Sequence, residues 1–195
     1  NDGVLVDTEP LYFDATKRVL ASAGVPLRRD QYIDLFLRQG RGAWHLAEGA
    51  GVPPGEVDRL REERDALYAR LLSEESHAID GVERVLSELH GRVVMGIVTS
   101  SKRHHFDLIH QTSGLLRYVD FVLASGDYPR AKPHPDPYLK AIATAGVEAD
   151  ACIAIEDSER GLEAALGAGL RCIVVPTDLT RGCAFAGAAA VVATV

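Results

Sequence analysis

Cysteine is scarce in this chain, and the three present, Cys152, Cys172 and Cys183, show no CxxC spacing. An odd number in or near apolar runs fits reduced core thiols in a cytoplasmic protein, and speaks against a disulfide framework or a cysteine metal site. Basic charge is in deficit: 21 Lys and Arg against 28 Asp and Glu leave a net charge of -7. Nucleic acid is therefore not an expected partner, because neutralising phosphates needs a basic face. No apolar run approaches the roughly 18 residues of a membrane span, so a membrane is not expected either. Internal repeats and low-complexity tracts are lacking, although residues 184–190 are alanine-rich. What is present, 47% hydrophobic and 25% charged residues over 195 positions, is ordinary globular material. An anionic substrate would meet a negative body, so its site must concentrate positive charge locally from a lysine, a metal ion or helix N-termini.

The chain divides by periodicity. From Thr8 onward the pattern is helical. Thr8 can cap a helix with Pro10 in its first turn, and Leu11, Ala15, Val19 and Leu20 recur until Gly24 stops it. Residues 30–38 and 43–50 read as shorter helices around Gly40-Arg41-Gly42. After Pro53-Pro54 a longer helix is expected, with Val57, Leu60, Arg64, Leu67, Leu71 and Leu72 on one face. From Gly81 short β-branched runs take over, at 93–98, 121–124, 152–155, 172–175 and, weakly, 191–192, alternating with helical segments. Such alternation indicates a parallel sheet covered on both faces. Val4-Leu5-Val6 reads as a strand stub. The expected fold is of the α/β class: a Rossmann-like parallel-sheet core over residues 1–7 and 80–195, with a small helical-bundle cap inserted over residues 8–79.

Ligands of an open parallel sheet bind beyond the carboxyl ends of the strands. Thr99-Ser100-Ser101 follow one run, Glu156-Asp157-Ser158 another, a loop with Asp127 and Lys132 a third, and Asp2-Gly3 precede the stub. Hydroxyls at a strand end before a helix start make a phosphate cradle. A loop lysine neutralises charge on a transferring phosphoryl group. Adjacent carboxylates repel unless a hard cation compensates them, which points to Mg²⁺. Each feature alone has a plain structural reading, as a helix cap or a solvated charge. Their joint occurrence at successive strand ends carries the inference.

Four segments, in order, resemble the motifs of the haloacid dehalogenase (HAD) superfamily: Asp2-Gly3 with the turn into Asp7-Thr8-Glu9, Ile97-Val98-Thr99-Ser100-Ser101, Ala131-Lys132-Pro133-His134-Pro135-Asp136, and Ile153-Ala154-Ile155-Glu156-Asp157-Ser158. The helical insertion after the first motif is similar to the helical-cap branch, which includes phosphoglycolate phosphatase-like and β-phosphoglucomutase-like enzymes.

The resemblance implies that Asp2 is the general acid/base and ligates Mg²⁺ through its carbonyl. It implies that Thr99 and Ser100 bind the phosphoryl group, that Lys132 holds it, and that Asp157 ligates the metal with Glu156 as a further ligand or supporting acid. The nucleophilic aspartate of the family would stand one position before Asn1, with an apolar strand ahead of it. A fragment of an active enzyme is therefore expected, the 195-residue piece itself being inactive and poorly folded. Asp2 argues against dehalogenation. Lys17 gives no sign of Schiff-base use, and Tyr12 stands where a mutase of this branch carries histidine. The expected activity is hydrolysis of a small phosphorylated metabolite by a monomer or weak dimer. A sugar phosphomutase and a non-catalytic phosphate-binding protein are the alternatives. Substrate choice is expected in the cap, where Arg41 would bind a second anionic group and Trp44 would stack on a sugar or pack in the bundle. His104, His105 and His110 are expected at the surface or partly buried, not as metal ligands.

Overall fold

The computed structural model describes residues 1–74 and 77–195, and it opens on a turn where a strand stub was expected. Gly3, at φ 73°, reverses the chain so that the amides of Val4 and Leu5 donate to the Asn1 carbonyl at 3.1 and 2.7 Å. Val4-Leu5-Val6 therefore satisfies its backbone locally, with only isolated bridges pairing Val6 to Asp2 and Ala78.

Four helices follow: α1 (Glu9–Ser22), α2 (Arg29–Tyr32), α3 (Trp44–Gly49) and α4 (Pro54–Leu72). Thr8 stands before α1 but makes no capping bond; its hydroxyl donates to Asp2 instead. The α2 helix widens into a π-helical turn over Ile33–Arg38, which replaces the uniform helix expected there. On α4 the buried row is Val57, Leu60, Arg64, Tyr68 and Leu72. Tyr68 thus takes the place anticipated for Leu67 and Leu71, because 64, 68 and 72 fall on one i,i+4 row. Leu20, Tyr32, Ala43, Ala47 and Val57 form the core of this bundle, joined by Leu179 from beyond the last helix of the sheet domain.

The remaining helices, α5 (Val82–Leu89), α6 (Arg103–His110), α7 (Asp136–Ala145) and α8 (Glu159–Gly167), alternate with the strands. β1 (Gly96–Lys102) pairs in parallel with β2 (Phe121–Ser125). β3 (Ile153–Glu156), β4 (Arg171–Val174) and β5 (Ala190–Val191) form a second parallel sheet in that order. The parallel strands thus fall into two groups, with Asp2 bonded to the end of β1 and Gly3 against Asp157 after β3.

β1 starts three residues later than its apolar run. Met95 is held by Asp120, and Gly96 faces the Phe121 ring so closely that a Cβ there would lie 2.2 Å from it. Val93 and Val94 are left exposed. At its far end β1 slips register between Val98 and Lys102, where four residues advance against two of β2. This bulge aims Thr99, Ser100 and Ser101 away from the ladder and into a cavity. Behind it, Tyr138, Ala154, Leu162, Ala165, Cys172 and Val174 pack α7 and α8 on the second sheet. Among the described residues no helix is long and apolar enough to cross a membrane.

Candidate active site

A cavity of about 450 Å³ lies between the strand ends and the helical bundle, lined by Asp2, Thr99, Ser100, Lys132, Glu156 and Asp157 with Arg41 and Trp44, while Asp127 lies outside it and pairs with Arg103. Asp2 is its most heavily bonded acid. One carboxylate oxygen accepts from Thr8, and the other accepts from the Ser101 hydroxyl at 2.9 Å, the Asn1 amide at 3.1 Å and the Thr99 hydroxyl at 3.4 Å. Burial works to raise this carboxyl. The hydrogen bonds from Thr8, Ser101 and the Asn1 side chain work against it by favouring the carboxylate.

Thr99 is almost fully buried, and its hydroxyl also accepts from the Ser101 amide at 3.1 Å. The Ser100 hydroxyl is buried with no partner among the described residues. An orphaned hydroxyl beside a bulge of amides is an incomplete anion cradle, and a phosphate oxygen would complete it.

Lys132 reaches in from the loop before α7. Its ammonium donates to the Val98 carbonyl at 3.0 Å and to Glu156. Both side chains are under a tenth exposed. The Tyr138 hydroxyl donates to the same Glu156 oxygen, while the other oxygen rests on Gly161, where a Cβ would stand 1.9 Å away. Burial pushes Glu156 up, and the Lys132 ammonium more than offsets it, so Glu156 stays ionised. Glu156 was expected as a metal ligand or a supporting acid; one of its oxygens accepts from Lys132 and Tyr138, and the other lies against Gly161 of α8.

Asp157 is the opposite case. Among the described residues no side-chain hydrogen bond ends on it, and burial together with the negative charges of Glu156 and Glu9 raises its carboxyl to about 8. Gly3 brings the first turn directly against it, an added Cβ falling 2.4 Å from Asp157 Oδ2. The hydrogen bonds of that turn end on the Asn1 and Val6 carbonyls and leave that of Asp2 unused. An uncompensated acid beside a spare carbonyl fits a hard cation. Among the described residues no three His, Cys, Asp or Glu side chains gather as a ready cage. Mg²⁺ does not require one, since it keeps waters and uses one or two carboxylates with substrate phosphate.

Toward the bundle the cavity wall is aromatic and basic. Arg41 is exposed at the mouth. Trp44 both lines the cavity and packs on the bundle core, with the Arg61 and Arg64 guanidinium groups 5.6 and 5.3 Å from its ring. Lys102 pairs with Asp65 of α4 at 2.7 Å, and Arg38 with Glu159 at 3.1 Å, so the bundle meets the sheet domain through ion pairs. Sequence reasoning missed Tyr138, Gly161 and Arg160. Glu9, from the first motif, lines the cavity and accepts from Tyr32. Burial chiefly raises Glu9 to about 7. His105 and His110 are buried, at 4% and 5% exposure, where a surface or partly buried position was expected. His110 bonds Ser113 and Asn1, both at 2.8 Å, and burial lowers it to about 4.

The chain is similar to known proteins. Residues 2–175 match the family model of the haloacid dehalogenase-like hydrolases. A phosphorylated carbohydrates phosphatase of Thermotoga maritima is 31% identical over 87% of this chain and 79% of its own. Validoxylamine A 7'-phosphate phosphatase of Streptomyces hygroscopicus subsp. limoneus is 32% identical over 90% and 83%. The crystal structure of CbbY from Rhodobacter sphaeroides in complex with xylulose-(1,5)-bisphosphate superposes with a TM-score of 0.82 at 25% identity, covering 99% of this chain and 91% of that one. Four motifs around one cavity, on a parallel α/β core carrying a helical bundle, make this chain a member of the haloacid dehalogenase-like hydrolases.

Proposed function

We propose that the protein hydrolyses a phosphomonoester of a small metabolite, a sugar phosphate being the favoured class, with Mg²⁺ as cofactor. One observation carries this reading: the Thr99 and Ser100 hydroxyls, the Lys132 ammonium, the Asp2 carboxylate and the uncompensated Asp157 share one end of one cavity. Each supplies something phosphoryl transfer needs, namely hydrogen bonds to the equatorial oxygens, a positive charge, an acid/base and a cation site. The names of the relatives, a phosphorylated carbohydrates phosphatase among them, support the same class.

Asp157 and the Asp2 carbonyl would hold the Mg²⁺, with Glu156 acting through Lys132. When bound, the ion screens the phosphate charge from these acids and orients the phosphoryl group. The attacking carboxylate belongs at the position preceding Asn1, whose nitrogen lies buried among Lys132, Asp2, Glu156 and Asp157. Lys132, fixed by the Val98 carbonyl and Glu156, faces the charge of the phosphoryl group without having to reorganise. A bound phosphate dianion raises the proton affinity of Asp2, which takes up a proton from solvent. It then protonates the leaving alcohol oxygen, and as a carboxylate it takes a proton from the water that hydrolyses the intermediate. Tyr12, in the cavity wall with its ring 4.4 Å from the Arg64 guanidinium, offers no imidazole for a mutase step.

The test is turnover of p-nitrophenyl phosphate by the full-length protein with and without Mg²⁺, alongside Asp157→Ala. Metal-dependent hydrolysis abolished in the variant is expected. Phosphate binding without turnover would make the protein a binding module instead.

A further inference from the structure

Arg160 is a cavity-lining cation that this reaction leaves unused. It stands on α8 three residues after Asp157 and reaches from the sheet domain to the bundle. A Cβ built on Gly40 would lie 2.5 Å from Arg160 Nη1 and 3.2 Å from its Cδ. Gly40, at φ 67°, presents bare backbone there, and a side chain at that position would displace the guanidinium. Arg160 Nε is buried with no hydrogen-bond partner among the described residues.

The neighbouring charges do not account for it. Lys102 is taken by Asp65, and Lys132 by Glu156. No salt bridge among the described residues includes Arg160. Glu9 shares the cavity, but its carboxylate is bonded to Tyr32. Arg160 attracts that carboxylate, but no salt bridge among the described residues joins the two. A guanidinium N–H buried without an acceptor is unfavourable unless a ligand supplies one, and Arg160 is itself only partly exposed. Its planar fork suits a carboxylate or phosphate above other acceptors.

We propose that Arg160, lying across the bare backbone of Gly40, forms a distal anion subsite, so that the preferred substrates are phosphomonoesters whose leaving group carries a second anionic group. This shifts the role anticipated for Arg41, which is exposed at the mouth, to a residue inside the cavity. The inference rests on the phosphatase reading and narrows its substrate class.

The full-length protein is assayed with p-nitrophenyl phosphate, glucose 6-phosphate, 6-phosphogluconate and glucose 1,6-bisphosphate. The last two keep the C6 ester and add a carboxylate or a phosphate at the far end. The wild type is expected to favour one or both over glucose 6-phosphate by about tenfold or more in kcat/KM, the scale of one charge-assisted contact. Advantage for the carboxylate or for the bisphosphate says which anion the subsite takes. Arg160→Met should shrink that ratio about tenfold, mainly through KM, with Arg160→Lys recovering part of it. A wild-type ratio near one overturns the subsite whether or not the variants fold, and so does a ratio unchanged in Arg160→Met. Failure to turn over any of the four esters would instead remove the phosphatase reading itself.

Discussion

Replacing Lys132 by methionine separates what this lysine does for the fold from what it does for the phosphoryl group. Its side chain and that of Glu156 are 9% and 7% exposed, so the pair has little access to water. Removing one member strands the other charge, which costs about 3–5 kcal/mol. Tyr138 still donates to the orphaned Glu156, which places the expected loss near the lower end. At roughly 2–4 °C per kcal/mol for a chain of this size, about 3 kcal/mol lowers Tm by about 6–12 °C. In the double variant Lys132→Met/Glu156→Gln no charge is stranded and the amide can still accept from Tyr138. More than half of the loss should return, a coupling of about 2 kcal/mol. Urea unfolding of the four proteins, followed by circular dichroism, gives the cycle. Hydrolysis of p-nitrophenyl phosphate should not return with stability, because the cation facing the phosphoryl group is still gone. A cost under about 1 kcal/mol for Lys132→Met, or a double variant no firmer than that single one, refutes the buried-pair account.

Gly161→Ala places a methyl 1.9 Å from a Glu156 oxygen and should destabilise by about 1–3 kcal/mol in thermal melts. Gly167→Ala on the same helix, where the nearest atom is 3.4 Å away, should be neutral or stabilising. Ser100→Ala removes a buried hydroxyl that has no partner, so stability should hold or rise slightly while inhibition by inorganic phosphate weakens several-fold. Glu9 binds its proton more tightly in the folded state, at about 7 against an ordinary 4.5. Its contribution to stability is thus full below about 4.5 and declines as pH rises through 7. Glu9→Gln should flatten that part of a Tm-against-pH series, and an unchanged slope would refute the assignment.

Much of the site was legible because its residues sit at the ends of runs whose periodicity is plain. Thr99, Lys132 and Asp157 each follow a feature that local pattern exposes, a β-branched stretch or a loop before a helix. The first turn was misread because Val4-Leu5-Val6 is as apolar as a strand, and only the positive φ of Gly3 and the Asn1 carbonyl show that it closes on itself. The start of β1 was misplaced for a related reason. The apolar run begins at Val93, but pairing begins where Gly96 meets Phe121, and that partner is 25 residues away.

The sequence by itself determined the α/β class, the order of the motifs and the chemical types available to the site, since these follow from periodicity and side-chain identity. Tertiary structure alone decided how two neighbouring acids differ. Glu156 and Asp157 are adjacent in sequence, yet one is neutralised by Lys132 and Tyr138 while the other is left uncompensated against Gly3. The distinction is electrostatic, and it depends on groups that only folding brings within a few ångströms of each other. Arg160 is the same lesson on the far side of the cavity: its meaning comes from a glycine 120 positions away in the chain.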